Sequence, residues 1–174
     1  MTPLYIFDLD GTLALTEHRQ HLVQGGECPH CHGCGEVPGE VPCSACAGTK
    51  KSKPDWKAFF AACVRDLPNT AVIDTLHNLV DSGAEVWVWS GRSSEVMQQT
   101  QEWLMQHVAI DDLALMMRVE GDFTPDEVLK QSWLESMAAY DRRRLVAVFD
   151  DRKKVVEMWR SNGVPCFQVA PGEF

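Results

Sequence analysis

Four short apolar runs in this chain end the same way. LYIF runs into Asp8, EVWVW into Ser90, LALMM into Arg118, and RLVAVF into Asp150 and Asp151. Unbroken apolar stretches of this length suit strands covered on both faces, as in parallel sheets. A fifth run, PCFQVA, completes the set. Between the runs the periodicity turns helical. Val72, Leu76, Leu79 and Val80 predict a helix over 70–82 with Gly83 as its stop. Val96, Thr100, Trp103 and Leu104 predict one over 94–107, and Val155, Val156 and Trp159 one over 152–162. Thr124 and Glu127 have the spacing of a capping box, with Pro125 at the first helical position. The alternation predicts an α/β fold of three layers with a central parallel sheet. Ligands of such sheets bind beyond the carboxyl ends of the strands, where Asp8, Ser90, Arg118, Asp150 and Asp151 all arrive.

One stretch interrupts the alternation. Residues 25–52 are rich in Gly, Pro and Cys, so the reading is a core of 1–24 and 53–174 carrying an insertion at 25–52. A helix near Trp56–Arg65 leads back into the core. Of 7 cysteines, five fall between Cys28 and Cys46. The first apolar run is broken by Asp8, too early for a secretory leader. An odd, clustered set in a chain read as leaderless points to metal rather than to disulfides. Cys28/Cys31 and Cys43/Cys46 form two CxxC knuckles, and two knuckles close one tetrahedral structural zinc site. Cys34, His30 and His32 are spare donors, a swap of Cys34 for Cys31 stays open, and a redox-active or unliganded loop is the alternative. Cys63 and Cys166 stand in apolar contexts and read as core.

The formal net charge of −9 disfavours wrapping a long polyanion, which needs clustered Lys and Arg. It leaves room for a strand end or a small phosphate ester, above all beside a divalent cation. Lys50, Lys51 and Lys53 either reach a nucleic-acid backbone or form a solvated linker. Arg142–Arg144 reads as a solvated helix end. No stretch approaches a membrane span, and the expectation is a cytoplasmic protein.

The converging acids repel one another unless a cation joins them, and an oxygen-rich set of this kind suits Mg²⁺. Ser90, Arg92 and Lys130 add donors for an anion, which makes a phosphate site. The first acid can attack phosphorus, and the second can protonate the leaving oxygen and later activate water. Asp126 and Lys130, four residues apart on one helix face, can pair so that the ammonium is aimed.

DLDGT, WSGR, a downstream Lys and FDDR, in that order, resemble the haloacid-dehalogenase-like (HAD) phosphatases. MRVEGDFTPDEVLK, the tail DDRKKVVEMWRSNGVPCFQVAPGEF and Arg19 resemble, more narrowly, the phosphatase domain of phage polynucleotide kinase–phosphatases. The resemblance implies a HAD-like Rossmannoid fold in which the insertion is a zinc-binding cap over the cleft. It implies Asp8 as nucleophile, Asp10 as general acid/base and Lys130 as a third catalytic group. Thr12, Ser90, Gly91, Arg92 and Lys130 would hold the phosphate. Asp8, Asp10, Asp150 and Asp151 would hold Mg²⁺, and Arg19, Arg118 and Asp126, which match further residues needed for activity, would join the phosphate- and substrate-binding set. The implied reaction is removal of a 3′-phosphate from nucleic-acid ends. The loop GDFTPD departs from the family, which often has a basic residue there, so a substrate contact is missing or replaced. No GxxxxGK[ST] loop occurs, so the resemblance covers the phosphatase half, and whether a kinase or ligase partner is encoded separately stays open. The rival readings are a small-molecule phosphatase or nucleotidase on the same scaffold, and a non-catalytic zinc-bearing nucleic-acid-binding module.

Overall fold

The computed structural model describes residues 1–28, 30–32, 35, 37 and 42–172. They form two compact units, one of Met1–Leu15 with Asp66–Phe174 and one of Thr16–Arg65. In the first unit the strands are β1 (Leu4–Phe7), β2 (Ala14–Leu15), β3 (Leu67–Pro68), β4 (Glu85–Ser93), β5 (Ala114–Arg118), β6 (Leu145–Arg152) and β7 (Cys166–Gly172). Five of them make a sheet in the order β5-β4-β1-β6-β7, with every neighbouring pair parallel. The second unit contributes helices α1 (Glu17–Gln20) and α2 (Trp56–Ala61), followed by a 3-10 turn at Ala62–Arg65. The remaining helices, α3 (Thr70–Asp81), α4 (Met97–His107), α5 (Asp126–Ser136), α6 (Ala139–Arg144) and α7 (Lys153–Ser161), belong to the first.

Both faces of the sheet are covered, as its apolar strands require. Along β4, Val86 and Val88 join Phe7, Ile73, Leu76, Trp103 and Leu104 in one core. Trp87 and Trp89 point the other way and pack with Ile6, Leu134, Val148, Val156 and Trp159. Side chains alternate by two along a strand, so one run feeds two cores, with α3 and α4 on one side and α5 and α7 on the other. Trp89 anchors the second core, with Trp133 at 5.7 Å edge-on and Trp159 at 5.6 Å. Gly83 ends α3 with φ +87, a conformation that favours glycine.

The register between β1 and β6 sets the site. Phe7 stands opposite Phe149, and their rings stack at 4.3 Å. Asp8, which follows β1, and Asp150, within β6, therefore stand side by side. The small antiparallel ribbon of β2 and β3 pairs Ala14 with Pro68 and Leu15 with Leu67, and no sequence pattern announced it.

Two expectations are corrected. The capping box does not form: α5 starts at Asp126, Pro125 flanks it at ψ 143, and no side chain caps it. Arg118 donates to the carbonyls of Asp122 and Thr124, which holds that stretch outside the helix and delays its start. Nor is the triple arginine wholly solvated. Arg144 is buried, pairs with Glu85 at 2.5 Å and Asp141 at 2.8 Å, and lies over the rings of Trp87 and Tyr140.

In the second unit, the Asp55 carboxylate accepts the Ala58 N–H at 2.9 Å and caps α2. Gly26 and Cys28 bond to Ser52 and Lys50, and Glu27 bridges Lys51. This zip joins the two ends of the segment that carries Cys28, Cys31, Cys43 and Cys46. No helix among the described residues is long and apolar enough to cross a membrane.

Trp159 tests the second core. It is fully buried, and its indole N–H has no partner among the described atoms. Trp159→Ala is expected to cost about 3–5 kcal/mol. Trp159→Phe, which also deletes the unpaired donor, is expected to cost under about half of that. Denaturant unfolding of both variants measures the difference.

Candidate active site

Lys130 lies one turn into α5 and is almost fully buried. Its Nζ donates to Asp8 Oδ1 at 2.5 Å and to Asp150 Oδ2 at 2.8 Å. Asp151 completes the set: Asp8, Asp150 and Asp151 each present an oxygen, and these lie within 4.8 Å of one another. Burial opposes the Lys130 charge, but Asp150 and Asp8 outweigh it and hold the ammonium well above its ordinary value. Burial pushes the Asp8 carboxyl well above the carboxylate range against the pull of Lys130, and Asp150 and Asp151 push the same way. Asp151 is raised to about 7, by burial first and by Asp150 next.

The cluster therefore holds more acid than base. Asp151 Oδ1 is buried without a hydrogen-bond partner among the described residues, a costly state unless something satisfies it. Gly11 explains how that acid comes so near the first loop. A Cβ on Gly11 would sit 2.2 Å from Asp151 Oδ2, and its φ is +88, so only glycine serves there. Hard oxygen donors, mutual repulsion and an orphaned oxygen together fit a divalent cation.

Asp10 goes elsewhere. Its carboxylate pairs with Arg92 and is not among the three converging acids. Arg92 is fully buried; besides Asp10 it donates to Asp66 Oδ2 at 2.9 Å and to Thr100 Oγ1 at 3.2 Å. The Arg92 guanidinium, expected among the phosphate donors, is thus tied to Asp10, Asp66 and Thr100. Ser90 is buried, and its Oγ accepts the Arg92 backbone N–H at 3.1 Å. Thr12 is buried with an unpartnered hydroxyl.

The arginine after β5 organises the other side. Arg118 Nε donates to the Gly91 carbonyl at 2.7 Å, and its Nη2 pairs with Asp126. Arg152 pairs with the other oxygen of Asp126. A Cβ on Gly91 would fall 2.5 Å from Asp126 Oδ1, so this glycine admits the acid. Asp126 also adds to the electrostatic hold on Lys130, but its direct partners are the two arginines. Asp66 and Arg152 escaped the sequence reading. Asp66 sits before a two-residue strand without periodicity; Arg152 directly follows the acid pair, and that adjacency was the available signal.

In the second unit, Arg19 is fully buried, lies over the Phe59 ring at 4.1 Å and donates to the Phe59 carbonyl at 3.2 Å. Cys28, Cys31, Cys43 and Cys46 are all buried, with their sulfurs within 4.8 Å of one another. Cys31 and Cys46 Sγ lie 3.7 Å apart, and the Gly35 N–H points at Cys31 Sγ at 3.3 Å. Four converging thiols without disulfides fit a tetrahedral ion. Cys34 lies outside the described residues. His30 and His32 are exposed, as are Lys50, Lys51 and Lys53. Cys63 and Cys166 are buried, as expected.

Comparison with known proteins shows what the chain is similar to. The family model described as the polynucleotide kinase PNKP phosphatase domain matches residues 48–174. A protein of Autographa californica nuclear polyhedrosis virus, described as a bifunctional polynucleotide kinase/RNA ligase, is 37% identical over 78 residues, covering 44% of this chain and 11% of the viral one. A chain of the Pnkp1/Rnl/Hen1 RNA repair complex superposes with a TM-score of 0.67 at 28% identity, over 99% of this chain and 44% of that one. A Clostridium difficile protein described as a phosphatase shares the fold, with a TM-score of 0.54 at 16% identity, over 95% of this chain and 83% of that one. This chain thus spans under half of the repair-complex chain and about a tenth of the viral relative.

The raised Asp151 value has a consequence of definite sign. A carboxyl held above its free value of about 3.9 favours the fold while protonated. Its contribution is whole below about pH 4 and is lost as pH rises through about 7. A cation bound at the three acids reverses the loss. Millimolar Mg²⁺ is therefore expected to raise the melting midpoint of chelator-treated protein more near pH ~8 than near pH ~5.5. Differential scanning calorimetry at the two pH values checks it.

Proposed function

The chain belongs to the family of polynucleotide kinase PNKP phosphatase domains, and on that premise we propose that it is a Mg²⁺-dependent phosphomonoesterase acting on the 3′-phosphate ends of nucleic acid. The observation that carries the reading is the buried Lys130 held between Asp8 and Asp150, beside the unpartnered oxygen of Asp151. Asp8 is the nucleophile: its carboxylate oxygen attacks phosphorus while the bond to the ester oxygen breaks. Asp10 gives its proton to that departing oxygen, which leaves as the free 3′-hydroxyl. Asp10 then takes a proton from water as the water oxygen attacks phosphorus. Inorganic phosphate departs, and the Asp8 carboxylate is restored.

Lys130 faces the negative charge on the phosphoryl oxygens, with Ser90, Thr12 and the backbone at Gly91 as further donors. Mg²⁺, held by Asp8, Asp150 and Asp151, would supply charge neutralisation at phosphorus. Arg118 and Arg152 fix Asp126 and through it the start of α5. Arg19 keeps the substrate-binding role that the family resemblance implies. In the insertion at 25–52, Cys28, Cys31, Cys43 and Cys46 hold one structural Zn²⁺, which lets a segment with few apolar residues fold. The relatives' repair-complex and kinase/ligase descriptions support a place beside a kinase or ligase activity.

A second reading, hydrolysis of small phosphate esters on the same site, is favoured by the net charge of −9. Turnover of a 3′-phosphorylated oligonucleotide against free mononucleotides separates the two; much faster hydrolysis of mononucleotides would overturn the strand-end assignment. Asp8→Asn is expected to lower turnover by at least about a thousandfold while the protein still melts cooperatively. Elemental analysis of the purified protein is expected to find about one zinc per chain, and none in the Cys28→Ser/Cys31→Ser double variant.

A further inference from the structure

Asp66 is a charged side chain with no exposure, and neither the sequence motifs nor the proposed chemistry uses it. Its position is tightly specified. Asp66 immediately precedes β3, and β3 pairs with β2, which follows Asp10 by four residues. The Asn69 N–H adds a bond to the Leu13 carbonyl at 2.8 Å. The ribbon thus ties the chain at Asp66 to the loop that carries Asp10. The Trp103 indole N–H donates to the Asp66 carbonyl at 2.8 Å and fixes the residue from α4.

What Asp66 grips is Arg92. Three nitrogens of that buried guanidinium are engaged: Nε and Nη2 with Asp10, Nη2 again with Asp66, and Nη1 with Thr100. A guanidinium is a rigid planar fork. Once Asp66 and Thr100 fix two of its arms, the remaining edge has one orientation, and Asp10 is held against that edge. Removing the Asp66 charge loosens one arm of Arg92, and the aim of Asp10 with it.

We infer that Asp66 is a positioning residue for Asp10, acting through Arg92 to aim the carboxyl that protonates the departing oxygen. This rests on the proposed phosphatase reading. Its signature is dependence on the leaving group. An alkyl phosphate expels an alkoxide and needs the proton from Asp10, whereas p-nitrophenyl phosphate expels a stabilised phenolate and hardly needs it.

The test compares kcat/KM of wild type, Asp66→Asn and Thr100→Val on p-nitrophenyl phosphate and on an alkyl ester, either a 3′-phosphorylated oligonucleotide or a nucleoside 3′-monophosphate. Asp66→Asn is expected to lose at least about tenfold on the alkyl ester and under about threefold on the aryl ester. Thr100→Val, which keeps every charge, is expected to show a smaller split of the same sign. It carries the test if Asp66→Asn does not fold. Equal losses on both esters, or no loss on either, overturn the positioning role and leave the phosphatase reading standing. A wild type inert on all these esters overturns the phosphatase reading itself.

Discussion

The structure turns on one buried ammonium shared by two carboxylates. Lys130 cannot stay charged in the interior without Asp8 and Asp150, and neither acid can approach the other without Lys130. Meeting that condition fixes much else. The two acids must emerge from adjacent strands in register, which the stacked Phe7 and Phe149 secure one residue earlier. The lysine must arrive from a helix that begins at one particular residue. Arg118 sets that start by holding the carbonyls of Asp122 and Thr124 and the carboxylate of Asp126. A third acid, Asp151, then tips the balance toward negative charge and makes the pocket receptive to a cation.

Much of this is legible in the sequence because it is written in local patterns. Apolar runs with polar ends disclose the strands and the rim at which Asp8, Asp150 and Asp151 meet. Helical spacing places Leu76 in one core, with Val72, Leu79 and Val80 packed against it, and Val155, Val156 and Trp159 in the other. The four-cysteine cluster follows from the knuckle spacing alone.

What was not legible depends on contacts distant in sequence. Asp66 looks like a loop acid until the β2–β3 ribbon carries it to Arg92. The WSGR motif does not disclose that Arg92 ties Asp10 to Asp66 and Thr100. The capping box at Thr124 and Glu127 is locally reasonable, but Arg118 takes the Thr124 carbonyl and the tertiary bonds prevail over the local preference. Arg144 misleads in the same way: its charge suggests water, yet its stem and guanidinium lie against Trp87 and Tyr140 with Glu85 as counter-ion.

The β2–β3 ribbon also bears on how such a chain can change. Leu15 and Leu67 are partners, so the peptide leaves the sheet-bearing unit and rejoins it at neighbouring points. A detour with adjacent ends can grow, shrink or acquire a metal knot without stretching the strands at either side. The ribbon is in this sense a clasp: evolution can rework the cassette beyond it while the catalytic rim keeps its geometry.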